Sequence, residues 1–397
     1  MPVCGIITEY NPFHNGHVHH LKECKKYGQK AVCVMSGNFT QRGEPAIADK
    51  WQRAAWALKG GADLVIELPF VYATGSAEIF AQGATRLLGA LNIVDELCFG
   101  AEIPLENLFS KAAAMQLSPA YGERLKKELK KGVAYHKAAA CALGALGDSF
   151  KSPNNILGLE YAKAILQYKL NISLRPIQRT GADYHDKTID SAVASASAIR
   201  AALQDGDFVK VQSAVPDFVA ENLKEIQRPA NIEDLATAIL TLLRLSEPRR
   251  LAQIDNISEG LENKILHSAA ASFSIAELIG SIKSARYPYS RLQRIMLHIL
   301  FNVTKDDMAA FIKEGPQYIR VLGFNKNGQS LLRKLKGSAR LPVIVKTAQY
   351  LNSKARCNKS SLLEKMLAYD TLATDIYSLL ENKPSGGDFT RGAVRLD

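Results

Sequence analysis

His14 and His17 are separated by Asn15-Gly16 and follow an apolar, β-branched run, Val3-Cys4-Gly5-Ile6-Ile7. Two imidazoles at the start of a helix can each donate a hydrogen bond to phosphate oxygens. The first amides of that helix lack internal acceptors and add partial positive charge. Gly16 carries no Cβ, so a nucleotide can approach the backbone closely. Zinc would need a third ligand at suitable spacing, and none stands nearby, so no metal is assigned to the pair. On residue chemistry alone His19 and His20 read as incidental members of the same helix. A single histidine here would fit a core edge or a surface as well; the pair after a first strand is what points to phosphate.

A second stretch offers complementary chemistry. In Ser195-Ala196-Ser197-Ala198-Ile199-Arg200, small hydroxyl residues introduce a helix whose free amides and Ser195 or Ser197 hydroxyls can hold an oxyanion, with the charge of Arg200 one turn in. Alone this is an ordinary capped helix; with the histidines it makes the second jaw of a phosphate clamp. Three further positions leave strand ends: Gly100, for close approach of adenine or ribose; Arg179, for phosphate; and Arg42, for phosphate, RNA or an ion pair with Glu44 or Asp49. Asn154 and Asn155 open a helix where one can cap amides and the other can face a nucleotide. Thr8, Ser36 and Gly37 also lie on strand ends, but no pocket for a small carboxylate is outlined.

These residues need a scaffold that brings strand ends together. Short apolar strands at Val3–Ile7, Lys30–Met35, Asp63–Pro69, Glu96–Gly100 and Leu170–Ile177 alternate with helical segments at 16–26, 46–59, 76–91 and 103–150. This order predicts an α/β fold, a Rossmann-like doubly wound parallel sheet with ligands at the carboxyl ends of its strands. Trp51 and Trp56 fit the core of the second helix better than stacking platforms. Beyond Leu203 the periodicity is helical at 231–245, 258–270, 274–284, 289–301 and 361–381, with no strand except Leu341–Val345. The organisation expected is a catalytic domain over 1–202, a mainly α-helical domain over 203–381 and a mobile Pro/Gly/Ser-rich tail over 382–397.

The formal net charge is +11 with pI near 9.2, which favours a polyanionic partner over a small nucleotide alone. Arg286, Arg291 and Arg294 surround Tyr287 and Tyr289, and Lys326, Arg333, Lys334 and Lys336 form a second cluster. Cations interleaved with aromatics can contact phosphates and stack on unpaired bases, although solvated helix faces look similar. The basic run Arg124–Lys131 reads as such a solvated face. The six cysteines show no CxxC pair and read as reduced core residues. No signal peptide and no apolar run of membrane-spanning length is visible, so a cytoplasmic protein is expected. Oligomeric state is left open.

Glu9-Tyr10-Asn11-Pro12-Phe13-His14-Asn15-Gly16-His17 and Ser195–Arg200 resemble the motifs of the HxGH-type nucleotidyltransferase superfamily. The fuller set adds Val34–Pro45, Ser152–Gly158 and Tyr184-His185-Asp186, and then Ser258–Asn263 and Tyr318–Phe324. That set resembles the bacterial tRNA(Met) cytidine acetate ligase family over the whole chain. The resemblance implies that acetate attacks ATP to give acetyl-adenylate, and that the wobble cytidine of elongator tRNA(Met) takes the acetyl group as N4-acetylcytidine. It places ATP on Ile7, Thr8, Glu9, Tyr10, Asn11, Pro12, Phe13, His14, Asn15, Gly16, His17, Val18, His19 and His20, with further contacts at Gly100, Asn154 and Arg179. Mg²⁺ is expected to arrive with ATP, since neither a Walker lysine motif nor a carboxylate cluster appears. One departure is Ala196, where the superfamily commonly has a hydroxyl. Two other readings fit parts of the chain: a nucleotidyltransferase acting on a small metabolite without RNA, and a nucleotide-responsive RNA-binding protein without turnover.

Overall fold

A computed structural model describes residues 2–179, 194–226, 228–284 and 286–397. Thr180, Gly181 and Tyr184-His185-Asp186 lie outside them. Strands β1 (Val3–Thr8), β2 (Lys30–Ser36), β3 (Leu64–Leu68), β4 (Glu96–Ala101) and β5 (Ser173–Gln178) pair in parallel in the order β5-β4-β1-β2-β3. The predicted doubly wound sheet is therefore present. Both faces of the central strands β1, β2 and β3 are buried: Val3, Val32 and Ile66 point into one core, Cys4, Cys33 and Val65 into the other. That is why these strands read as continuous apolar runs instead of alternating ones.

The helices that matter for the site are α1 (Asn15–Cys24), α2 (Lys50–Lys59), α3 (Ala77–Leu91), α4 (Pro153–Gln167), α5 (Ala196–Gln204), α6 (Tyr289–Phe301), α7 (Lys326–Ser338) and α8 (Leu362–Leu380). Helices α1, α2 and α5 bury Leu21, Trp56 and Ile199 against one face; α3, α4, α6 and α8 bury Leu88, Tyr161, Ile295 and Leu367 against the other. Both tryptophans are buried, as expected of core residues.

Two expectations fail in the carboxyl half. Ile319–Phe324 is a strand, β6, which runs antiparallel to β3 and continues the sheet; β7 (Val343–Ile344) and β8 (Val394–Arg395) pair in parallel with it. The helical half thus contributes strands to the sheet of the first half. Arg320 interrupts the apolar pattern of β6, which hid the strand. Its guanidinium is buried and paired, with Nη1 3.1 Å from Glu67 and Nη2 2.6 Å from Asp388. Nor is the tail loose: Asp388 is 3 % exposed and also accepts Lys50 Nζ at 2.8 Å, and β8 closes the chain onto β6. Pro/Gly/Ser content marks turns, but it does not reveal a buried carboxylate that pins them.

Candidate active site

In the observed strand order the winding reverses between β1 and β4, which is where an open α/β sheet leaves a crevice at its carboxyl edge. The chain leaving β1 is fixed there by groups that the sequence did not single out. Arg53 of α2 is fully buried and donates to the carbonyls of Ala48 (2.9 Å), Glu9 (2.7 Å), Ser36 (3.1 Å) and Gly37. One guanidinium therefore satisfies backbone acceptors at the ends of both β1 and β2, as buried polar groups require. Glu9 accepts from Gln41 N (2.7 Å) and Ser36 Oγ (3.2 Å), and Asn11 Oδ1 accepts from Ile47 N (2.7 Å). Burial raises the Glu9 carboxyl above its ordinary range, opposed by the Gln41 amide and the Arg53 charge. Phe13 is buried beneath Gly60, where a Cβ would come within 2.1 Å of its ring. Only glycine lets α2 end so close to the motif.

His14 is the residue before α1 and its backbone is extended, so α1 starts at Asn15, directly after the two-residue link to Pro12. His17 Nδ1 accepts from His14 N–H at 3.2 Å, so in the neutral ring the proton sits on Nε2, which becomes a donor. The two imidazoles stack at 3.6 Å between centroids and 25° between planes, and Tyr10 packs edge-on to His17 at 4.8 Å. His14 Nδ1 is buried without a hydrogen-bond partner among the described residues. Burial holds both histidines low, His14 at about 3, and the Arg179 charge pushes the same way. Both rings are thus neutral at pH 7, and an arriving phosphate would offset the Arg179 charge and favour donation.

The cleft is lined by Ile7, Thr8, His14, Gly16, His17, His19, His20, Gly100, Asn154 and Arg179 from the sequence-derived set. Asn154 Nδ2 donates to Glu102 at 2.7 Å, and a Cβ on Gly100 would meet Arg179 Cγ at 3.2 Å. The remaining positions stand behind it. Glu9, Asn11 and Phe13 brace the loop, Tyr10 is buried with its hydroxyl 3.5 Å from Cys33 Sγ, Pro12 and Val18 are outside the lining, and Asn15 donates to Ser213 O at 3.1 Å. Ser36 and Gly37 are buried under Arg53 and Glu67, away from the lining. Ser195 caps α5 by accepting from Ala198 N at 3.1 Å, with its Oγ 3.0 Å from Ser197 Oγ. Arg200 donates to Asn11 O at 2.7 Å and lies 3.8 Å from Glu44, so it joins the second stretch to the first. Neither asparagine caps α4, which starts after Ser152: Asn155 is buried, accepting from Glu102 N and donating to Ser149 O. The reading missed Phe99, Leu157, Tyr161, Ile177 and Gln178, which also line the cleft. Asn154, Leu157 and Tyr161 lie on one face of α4 at a spacing that could have found them.

The basic clusters part company. Arg294 Nη1 donates to Gln41 O at 3.2 Å and its backbone abuts Gly43, so the α6 cluster sits against the loop that leaves β2 on the cleft edge. Arg291 stacks on Tyr287 at 4.6 Å, and Arg286 pairs with Glu259. Helix α7 follows antiparallel β6, whose end pairs with the start of β3, so Lys326, Arg333, Lys334 and Lys336 lie on the opposite edge. Among the described residues no helix is long and apolar enough to cross a membrane.

The buried histidines imply a pH response. Their folded values lie below the ordinary 6.5, with His14 at about 3 and His20 at about 4. Between 6.5 and those values the unfolded chain binds protons that the folded chain refuses, so stability falls as pH falls. Each such group contributes up to about 1.4 kcal/mol per pH unit. Melting curves of ligand-free protein between pH 7 and 4.5 should therefore show His14→Gln losing less stability on acidification than the wild type; equal pH dependence would remove His14 from the effect.

A neutral imidazole pair at a helix start, placed at the switch point of a doubly wound sheet, defines a nucleotidyl transferase of the HIGH class. The family model described as HIGH Nucleotidyl Transferase matches residues 1–390. A tRNA(Met) cytidine acetate ligase of Caldanaerobacter subterraneus subsp. tengcongensis is 43% identical over 96% of this chain and 95% of its own length, and one of Halothermothrix orenii is 40% identical over 97% and 96%. The chain belongs to the tRNA(Met) cytidine acetate ligase family. Its fold is similar to that of Thermotoga maritima TmcAL, solved without ligand (TM-score 0.93, 32% identity) and bound with alpha-thio ATP (TM-score 0.90, 31% identity), each over 100% of both chains.

Proposed function

We propose that this protein uses ATP to activate acetate and acetylates N4 of the wobble cytidine of elongator tRNA(Met), acting in the cytoplasm. The observation that carries the reading is the His14–His17 pair, with His17 fixed as an Nε2 donor at the start of α1. An acetate oxygen attacks the α-phosphorus while the bond to the bridging oxygen of the β-phosphate breaks, giving acetyl-adenylate and pyrophosphate. The cytidine amine then attacks the acetyl carbon, one proton is lost and AMP leaves.

Charge grows on phosphate oxygens in the first step, so donors fixed in advance lower the barrier without a covalent enzyme intermediate. In this reading His14 and His17 supply them. Ile7 to His20, Gly100, Asn154 and Arg179 hold ATP, while Ser195, Ser197 and Arg200 form the second jaw, braced on Asn11. Ala196 leaves the cap of that jaw intact, because Ser195 supplies it. The described cleft lining offers no carboxylate, so Mg²⁺ would be carried by ATP phosphates and water. In this reading Arg294, held against the loop that leaves β2, and its neighbours Arg286 and Arg291 would meet the RNA near the reacting base, and the α7 cations would contact backbone further away. The +11 charge and the named relatives support RNA as the acceptor.

The test is acetate-dependent ATP–pyrophosphate exchange, with and without tRNA(Met), followed by nucleoside mass analysis. Exchange together with acetylated cytidine is the expected result. Exchange with no RNA product would turn the reading to metabolite adenylylation, and no exchange at all would turn it to a nucleotide-responsive RNA-binding protein.

A further inference from the structure

Beneath the cleft, three cysteines far apart in sequence converge. Cys4 on β1, Cys98 on β4 and Cys24 at the end of α1 are fully buried, and their Sγ atoms all lie within 4.8 Å of one another. The fold brings this about simply. Strands β1 and β4 are neighbours with Ile6 opposite Cys98, so Cys4 and Cys98 point into the same core two residues out of step, and α1 crosses that face and lowers Cys24 between them. His20, one turn before Cys24, places Nε2 3.7 Å from Cys24 Sγ.

A single buried cysteine is a small apolar residue and needs no further account. Three thiols meeting at one point with an imidazole alongside are the donor set of a closed Cys₃His centre. In such a centre, Zn–S bonds of about 2.3 Å put tetrahedral sulfurs roughly 3.8 Å apart. The observed spacing is within about an ångström of that, a distance that side-chain rotation can close. Outer groups suit an anionic centre. Arg175 donates to Glu96 at 2.8 Å and to the carbonyl of Glu23 at 3.0 Å, and Cys98 Sγ lies 3.8 Å from the same Glu96 carboxylate. The guanidinium can offset the charge left by three thiolates around a divalent ion, and the Glu96 carboxylate holds that guanidinium in place beside them. The other cysteines differ: Cys33 is buried against the Tyr10 hydroxyl, and Cys141 and Cys357 are exposed.

We propose that Cys4, Cys24 and Cys98, with His20 as fourth ligand, form a site for a thiophilic divalent cation, Zn²⁺. The ion would staple the end of α1 to β1 and β4 under the nucleotide cleft, which His20 also lines and whose Gly100 lies two residues beyond Cys98. Softness of the donors selects against Mg²⁺ and Ca²⁺. The inference does not depend on the acetyl-transfer reading.

The test uses the full-length protein, reduced, stripped with chelator and titrated with Co²⁺ as probe. One Co²⁺ per chain should bind, with a near-ultraviolet sulfur-to-metal charge-transfer band and intense visible bands of tetrahedral cobalt. Zn²⁺ should bleach both and raise the melting temperature. Cys24→Ser and Cys98→Ser should lose the charge-transfer band or most of its intensity, whereas Cys33→Ser should keep it. His20→Gln keeps every thiol and should weaken Zn²⁺ binding at least tenfold. A folded wild-type protein that gives no charge-transfer band overturns the site, even where serine variants fail to fold, and so does an undiminished band in Cys24→Ser and Cys98→Ser. Unchanged Zn²⁺ affinity in His20→Gln overturns the fourth ligand.

Discussion

Replacing His17 with alanine should lower acetate-dependent ATP–pyrophosphate exchange by about 100-fold, a loss on the order of 3 kcal/mol in transition-state stabilisation. The size follows from placement. His17 Nδ1 is engaged by the His14 amide, so the ring cannot turn, and its Nε2 proton is held at the start of α1 before any ligand arrives. A donor fixed in this way needs no reorganisation during the reaction, which is where such groups gain over water. The loss should fall mainly on the maximal rate, because charge on the α-phosphate oxygens grows towards the transition state. His17→Gln, whose amide nitrogen can reach the place of Nε2, should recover part of the rate. Alanine also removes the ring stacked on His14 at 3.6 Å, so a melting curve must accompany the kinetics. A stable variant with full exchange would remove the pair from the chemistry.

The first half of the molecule was readable because its strands carry their own signal. A strand buried on both faces is a short apolar run, and each of the five was bounded by Gly, Pro or polar residues at the edge where the cleft opens. The histidines were readable for a similar reason: their neighbours in sequence are also their neighbours in space. What escaped notice depends on partners far along the chain. Arg53 looks like an ordinary cation on a helix until four carbonyls from two loops surround it. Strand β6 was hidden by Arg320, whose burial makes sense only beside Glu67 and Asp388. Spacing separated Cys4, Cys24 and Cys98, and only the pairing of β1 with β4 reunites them. The α6 and α7 clusters looked alike as sequence, and an antiparallel strand sends them to opposite edges.

Asp388→Ala should destabilise the protein by about 3–5 kcal/mol, the usual cost of removing one partner from a buried ionic group. Lys50, Glu67, Arg320 and Asp388 are each at most 5 % exposed and pair as two cations and two anions, with buried Asp370 close by. Burial opposes ionisation of Asp388, yet the Lys50 and Arg320 charges override it and hold its carboxyl below the ordinary range. Alanine would leave two buried cations with Glu67 as their one direct carboxylate partner. Urea unfolding should show the midpoint falling at an unchanged slope. Deleting residues 382–397 should cost at least as much, since it also removes β8 from its place beside β6. A mobile tail would instead be removable at no cost, so the truncation decides between the two descriptions. The loss should reach the cleft as well. Glu67 Oε1 would lie 2.6 Å from a Cβ on Gly37, so the carboxylate that shares Lys50 and Arg320 with Asp388 also supports the loop leaving β2. Drawn towards the two cations that Asp388 leaves behind, Glu67 would disturb the carbonyls held by Arg53, and through them the backbone of Glu9 ahead of the two histidines.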